Sequence, residues 1–327
     1  MKLTKQGKIF FGSLAVGVAM IVGVTVAVKS HHSSEKAVTQ TSVTKETTTQ
    51  TSAKRKTTTE EKVHIYVDPA LYDTTQETDG DYVQMYQSAS AASTVVDQVH
   101  RGEWAEYLGT DGDFVQITTS TGVTGYIPSE NAEVEDVEIN DTPTSLEDFH
   151  IVLDAGHGGV DSGALSSDES VYEKTLTLKT ALAVGEKLED AGVDVTYTRE
   201  EDEYLELSEI VDKSIAAQPD LFISFHYDNY DIANTVSGFT TYYYYEQEQD
   251  VATIINESLE SELPLDNRGV MQGNQYVTRE SYYPSMLLEL GYMNSDYDLS
   301  YTNTDEYREQ VASAILKGLK TYIKSVN

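Results

Sequence analysis

The chain of 327 residues predicts an α/β protein: an open, mostly parallel sheet with helices on both faces over 149–327. A small all-β barrel over 63–134 and an N-terminal transmembrane helix precede it. Three observations lead there. A charge-free apolar run opens the chain, short β-type runs punctuated by glycine follow, and apolar strands then alternate with amphipathic helical stretches to the end.

The elements follow in order. Lys2, Lys5 and Lys8 form a basic tail over 1–8, ahead of the uncharged run Ile9–Val28. Twenty residues at ~1.5 Å each cover the ~30 Å hydrocarbon core. Lysines on the leading side place the rest of the chain outside the membrane. The expected location is therefore the cell membrane, single-pass, with the bulk extracellular. A cleaved signal peptide is the competing reading, but only Thr25-Val26-Ala27 approximates a cleavage site. Residues 29–62 are rich in Ser, Thr, Lys and Glu, too polar to bury a core, and read as a disordered tether.

From Val63 to Val134, runs such as Tyr82–Tyr86, Val95–Val99, Ala105–Leu108, Phe114–Ile117 and Gly125–Ile127 are spaced by turn glycines. Gly102 before a strand, Phe114-Val115, and the closing step Gly125-Tyr126-Ile127 resemble a bacterial SH3-like domain. That resemblance implies a module for peptide or wall ligands; a packed spacer with Trp104 in its core is the alternative. Residues 135–148, acidic and containing Pro143, read as a linker.

The last segment alternates: strand His150–Asp154, helix Glu173–Ala191, strand Val193–Tyr197, helix Ser208–Ala217, strand Leu221–Phe225 and strand Phe239–Tyr245. Helix Asp250–Leu259, a short strand Gln275–Thr278, strand Met286–Glu289 and helix Tyr307–Val326 complete it. In open α/β sheets, sites lie at the carboxyl ends of the strands. His157 follows the first strand inside Gly156-His-Gly-Gly159, His226 follows Phe225, Glu289 closes its strand, and Glu173 opens a helix. Each alone has an ordinary explanation, such as a helix N-terminus stabilising Glu173. Together, two imidazoles and a carboxylate suit a catalytic Zn²⁺ with an open fourth position, and a second glutamate suits its water.

Composition narrows the alternatives. There is no cysteine, so thiolate sites and disulfides are excluded. Of the formal charge of −33, residues 1–62 carry +6 (ten basic, four acidic) and the remainder −39 (twelve basic, fifty-one acidic). Such an acidic body argues against nucleic acid as a partner. Asp161 replaces the third glycine of a dinucleotide fingerprint, and no His-Glu-x-x-His is present.

The blocks Leu153-Asp-Ala-Gly-His-Gly-Gly159 with Asp161 and Gly163, Glu173-Lys174, Thr198-Arg199 with Asp202, and Leu221–His226 carry a resemblance. So do Asn267-Arg-Gly-Val270 and Leu288-Glu-Leu-Gly-Tyr-Met-Asn294. Over 149–327 the chain resembles zinc-dependent N-acetylmuramoyl-L-alanine amidases of the wall-lytic type. The resemblance implies that His157, Glu173 and His226 bind one Zn²⁺, that Glu289 is the catalytic carboxylate, and that peptidoglycan is the substrate. Departures occur at Tyr227-Asp228-Asn229 after the second histidine, and in the missing arginine within Leu207–Ser214. Arg268 and Asn229 are candidate substrate contacts; an ion pair with nearby acids is the other reading of Arg268. Tyr245 to Arg268 has room for one helix, so no blocking lid and no obligatory activator are expected. A zinc peptidase and a non-catalytic wall-binding scaffold are the rival functions.

Overall fold

A computed structural model describes residues 56–66 and 82–327. The basic tail, the membrane segment 9–28 and the tether through residue 55 lie outside them. Among the described residues, no helix is long and apolar enough to cross a membrane.

Residues 149–327 build a six-stranded sheet from β8 (His150–Ala155), β9 (Asp194–Tyr197), β10 (Leu221–Asp228), β11 (Phe239–Tyr243), β12 (Asn267–Gln272) and β13 (Ser285–Tyr292). The order is β12-β11-β13-β10-β8-β9. Strands β13, β10, β8 and β9 are parallel, while β11 and β12 run the other way. Alternate residues of the apolar strands serve two cores, which is why these strands read as continuous apolar runs. Ile151, Leu153, Ile223, Phe225 and Leu288 meet the core completed by α1 (Glu173–Asp190), α3 (Gln249–Glu260) and α6 (Asp305–Ser325). Val152, Phe222 and Leu287 meet the smaller core completed by Ile210 and Val211 of α2 (Leu207–Ala217) and Val277 of α4 (Tyr276–Arg279). Truncating a fully buried side chain such as Phe225 to alanine costs ~3–5 kcal/mol by analogy with other cores.

Local pattern misplaced several elements. Gln275–Thr278, expected as a strand, is the single helical turn α4. Its four residues are too few to show a period, and Val277 packs against the α2 side of the sheet. Strand β12 and the short helix α5 (Asp296–Thr302) were not anticipated. Between Tyr245 and Arg268 the α-helix is α3, whose Val251, Ala252, Ile255 and Leu259 are buried in the larger core.

Ahead of the sheet stand seven antiparallel strands: β1 (Thr57–Ile65), β2 (Tyr82–Tyr86), β3 (Val95–His100), β4 (Trp104–Asp111), β5 (Phe114–Thr118), β6 (Thr124–Pro128) and β7 (Ala132–Asn140). They enclose Val63, Ile65, Met85, Ile117 and Ile127. Five strands were expected. Residues 57–62, assigned to the tether, and 135–140, assigned to the acidic linker, instead form much of β1 and β7. The two strands pair from Thr57↔Asn140 to Ile65↔Ala132. Their partners are 67–83 residues apart, so no local window reveals the ladder that satisfies their backbones.

The barrel rests on the α/β domain through Trp104. Its ring stacks on His64 (centroids 4.6 Å apart) and meets Tyr282 edge-on at 5.2 Å. Its indole N–H donates to Glu280 O at 3.1 Å, and its backbone N–H donates to Tyr245 Oη at 2.8 Å. The Glu280 carboxylate is ringed by His64, Arg101 and Arg279. These contacts lie where β11 ends and β13 has yet to begin. They therefore lie at the end of the sheet where β13 begins, away from His226 and Glu289.

Behind this contact Glu248 is 2 % exposed and accepts four hydrogen bonds. Two come from the amides of Tyr244 and Tyr245, and two from the amide and hydroxyl of Ser285. Burial lifts its pKa to about 7 against the pull of those donors. Glu248→Ala strands all four and is expected to cost ~3–5 kcal/mol, the range for breaking a buried charged network. Denaturant unfolding with a loss below about 1 kcal/mol would contradict this account of the β11–β13 junction.

Candidate metal centre and catalytic carboxylate

Strand β8 stops at Ala155, opposite Phe225, whereas β10 and β13 continue. His226 is the first residue of β10 beyond that last pair, and Glu289 sits beside it in register on β13. Glu289 is thus inside its strand, not at the end expected. The chain leaving β8 turns back over this step with His157 in the left-handed region, φ 63°. Glu173, first residue of α1, points in from the other side; its exposure is 4 %.

Glu173 joins the two histidines. Its Oε2 is 3.0 Å from His157 Nε2 and its Oε1 is 2.9 Å from His226 Nδ1. Oε1 also accepts the Tyr227 amide at 3.0 Å, and Oε2 the Ala164 amide at 2.8 Å. The imidazole centroids are 4.8 Å apart, inclined at 75°. One ligand atom from each of the three residues lies within 4.8 Å of the others. Zinc bonds of ~2.0–2.2 Å need ligand atoms roughly 3.3 Å apart, so small shifts of these side chains suffice. The donor chemistry fits too. His157 Nδ1 is 2.7 Å from Asp161 Oδ2, which leaves Nε2 directed at the cluster in the manner of a carboxylate-supported metal histidine.

The glycines around His157 have a packing reason. A Cβ on Gly156 would come within 2.2 Å of the His226 ring. One on Gly163 would come within 2.7 Å of both Glu173 and His157 Cδ2.

Electrostatics separate the two glutamates. Burial alone would raise Glu173, but the hydrogen bonds and charges of His226 and His157 outweigh it and hold the carboxyl well below its usual range. Burial likewise opposes protonation of His226, yet Glu173 and then Glu289 push it up to about 9. His157 is raised by the same partner against its own burial. Glu289 rises to about 8, through burial first and the Glu173 and Asp228 carboxylates next, with the imidazoles opposing. Its Oε2 is buried without a hydrogen-bond partner among the described residues.

Arg268 and Asn229 stand outside this cluster. The Arg268 guanidinium lies 5.5 Å from the Tyr292 ring centroid and donates to Ser237 O at 3.4 Å; among the described residues it makes no ion pair. Asn229 is exposed, with its amide bonded to Asp228 Oδ1. Sequence reading assigned no role to Asp161, although its i,i+4 spacing from His157 was a usable signal. It also passed over Asp154, which is 1 % exposed and accepts the hydroxyls of Thr198 and Ser224 at 2.6 Å each.

Fold and donor set together define a class: an α/β domain with a two-histidine, one-glutamate cluster able to hold a metal toward the carboxyl ends of its parallel strands. Comparison with known proteins then supplies the family. Residues 151–321 match the N-acetylmuramoyl-L-alanine amidase family and residues 81–133 the bacterial SH3 domain. The chain belongs to the N-acetylmuramoyl-L-alanine amidase family and carries a bacterial SH3 domain. It is 33 % identical over 267 residues to a probable cell wall amidase LytH of Staphylococcus epidermidis, covering 80 % of this chain and 89 % of that one. A Staphylococcus aureus protein of the same name is 31 % identical over 239 residues, 72 % of this chain and 80 % of the other. Among solved structures, the catalytic domain of the amidase CwlV from Bacillus (Paenibacillus) polymyxa superposes with TM-score 0.52 at 30 % identity. It covers 54 % of this chain and 98 % of that domain. The amidase AmiC2 of Nostoc punctiforme gives 0.52 at 32 %, covering 54 % and 97 %.

The pKa shifts predict a coupling between metal and pH. Unfolded, His226 releases its proton near 6.5 and Glu289 near 4.5; folded, they hold them to about 9 and about 8. The folded state binds more protons between these limits, so metal-free stability from His226 is complete below 6.5 and lost as pH rises through 9. Glu289 acts in the same direction between 4.5 and 8. A zinc ion held by His157, Glu173 and His226 would displace their protons, so the stabilisation it confers should grow across pH 6.5–9. Thermal melts with zinc and with chelator test this; a zinc increment that shrinks with rising pH contradicts it.

Proposed function

We propose that the α/β domain hydrolyses the amide joining N-acetylmuramic acid to L-alanine in peptidoglycan, with one Zn²⁺ held by His157, Glu173 and His226 and with Glu289 as general base. The carrying observation is the buried Glu173 bridging two imidazoles, with a second glutamate in register beside one of them. When bound, the ion supplies an acidified water and an electrophile for the amide carbonyl.

The chain's own groups do the proton work. Glu289, buried and with no partner for Oε2 among the described residues, would accept a proton from water and return it to the departing alanine amine, the charge of a bound cation offsetting the burial that raises its metal-free pKa. Asp161 holds the His157 ring by its Nδ1, and Gly156 leaves the space that the His226 ring occupies. Arg268 and Asn229 are proposed as substrate contacts beyond this cluster. Arg268 would offer a guanidinium to a stem-peptide carboxylate.

The cell wall named in the relatives, and the apolar run 9–28 behind three lysines, support a catalytic domain facing the wall from a single-pass membrane anchor. The acidic body argues against nucleic acid as a partner. Packing of α3 into the core supports activity without an obligatory activator.

Mass spectrometry of digested peptidoglycan tests the reaction. A free alanine amine with intact glycan is the expected product; a cut inside the stem would mean a peptidase, and no product a scaffold. Glu289→Ala should retain zinc while turnover falls ~10²–10⁴-fold, the usual worth of a general base. His157→Ala should lose both zinc and turnover. Wild-type turnover by the Glu289→Ala protein would reject the assignment.

A further inference from the structure

His157 is held in a conformation that costs a non-glycine residue ~1–3 kcal/mol, and such strain persists only where the surroundings over-determine it. What surrounds it is a closed set of hydrogen bonds on both sides of the loop. On the buried side stands Arg199, 2 % exposed. Its Nε donates to Ala155 O at 2.8 Å, and its Nη2 to Gly156 O at 3.0 Å and to Lys174 O at 3.1 Å. Thr177 of α1 adds its hydroxyl to Gly156 O at 2.7 Å. On the solvent side, Lys174 Nζ donates to Gly159 O and to Asp202 Oδ2, each at 2.8 Å, while Asp202 Oδ1 accepts the Gly159 amide at 2.8 Å. Arg199 Nη1 also donates to Glu201 O at 2.9 Å, which fixes the chain that brings Asp202 into place.

The backbone just before and just after His157 is thereby tied to the first turn of α1, the turn that begins with Glu173. We propose that Arg199, Lys174 and Asp202 are positioning residues that clamp the His157 loop to the first turn of α1, and so set the affinity of the His157, Glu173 and His226 cluster for its metal. This rests on reading that cluster as a zinc site. The clamp touches neither metal nor substrate; it acts by holding two ligands from different elements at one separation. Support of this kind around metal ligands is worth ~10–100-fold in affinity.

The charges allow a sharp test. Lys174 is a cation beside a cation site, so by Coulomb's law alone its removal would tighten zinc binding. The clamp requires the reverse. Zinc affinity of the full-length chain is measured by competition with a chelating dye for wild type, Lys174→Met, Asp202→Ala, the double variant and Arg199→Lys. Melting temperatures of the metal-free proteins are measured alongside. The expected result is a ~10–100-fold loss of zinc affinity in Lys174→Met and in Asp202→Ala, with little change in metal-free melting. The double variant should lose no more than the larger single loss, because both residues belong to one bridge. Lys174→Met protein that binds zinc as tightly as wild type, or more tightly, overturns the proposal. So does a fall in metal-free stability as large as the fall in zinc binding, which would mean the bonds only hold the fold. Should Arg199→Lys fail to fold, the two solvent-side variants decide. Wild-type protein that takes up no zinc would overturn the metal reading itself, a result separable from the failure of the clamp.

Discussion

A buried carboxylate between two imidazoles is the interaction on which the α/β domain is organised. Glu173 is 4 % exposed, and its oxygens are shared among His157, His226 and the amides of Ala164 and Tyr227. Burying a carboxylate is costly unless every lone pair finds a donor. The surrounding chain is arranged to provide them: β8 ends early, the loop after it runs through a left-handed histidine, and α1 starts where its first side chain can reach both rings. One demand for compensated charge thus explains the truncated strand, the glycines and the strained backbone together.

The same sheet holds a second polar junction at the opposite end of its strands. There Glu280 gathers His64, Arg101 and Arg279, and Trp104 of the barrel is wedged between His64 and Tyr282. The β1–β7 ribbon adds to this contact, with Tyr283 Oη donating to Glu138 O at 2.7 Å and Asn140 Nδ2 donating to Gln218 O at 2.8 Å. The barrel is therefore seated on the α/β domain by named bonds at the end away from His226 and Glu289. Within β13, four strand steps separate Ser285 from Glu289, about 13 Å at ~3.3 Å each.

Legibility varied with the range of the interaction. His157, His226 and Glu289 could be picked out because a type-specific residue beside an apolar β-run is a local signal, and Glu173 because it opens a strongly patterned helix. Their resemblance blocks are local as well. The role of Arg199 was hidden, since a lone arginine after a short strand looks the same whether it is solvated or donates five hydrogen bonds to backbone and Thr177. Glu248 and Asp154 were hidden for the same reason. The β1 and β7 strands were misread because Thr57–Lys62 and Glu135–Asn140 are polar by themselves and become strands only through each other.

What the sequence by itself determined is the periodicity and the chemistry: alternating apolar strands and amphipathic helices make an α/β sheet, and histidines and glutamates at element ends supply a metal-type donor set. Those follow from side-chain identity and short-range spacing. Tertiary structure alone decided which ring nitrogens face Glu173, that Glu289 stands in register with His226, and that Arg199, Lys174 and Asp202 converge on one loop. Such facts depend on strand register and on contacts between residues far apart in the chain, where a shift of one residue would turn every side chain to the other face.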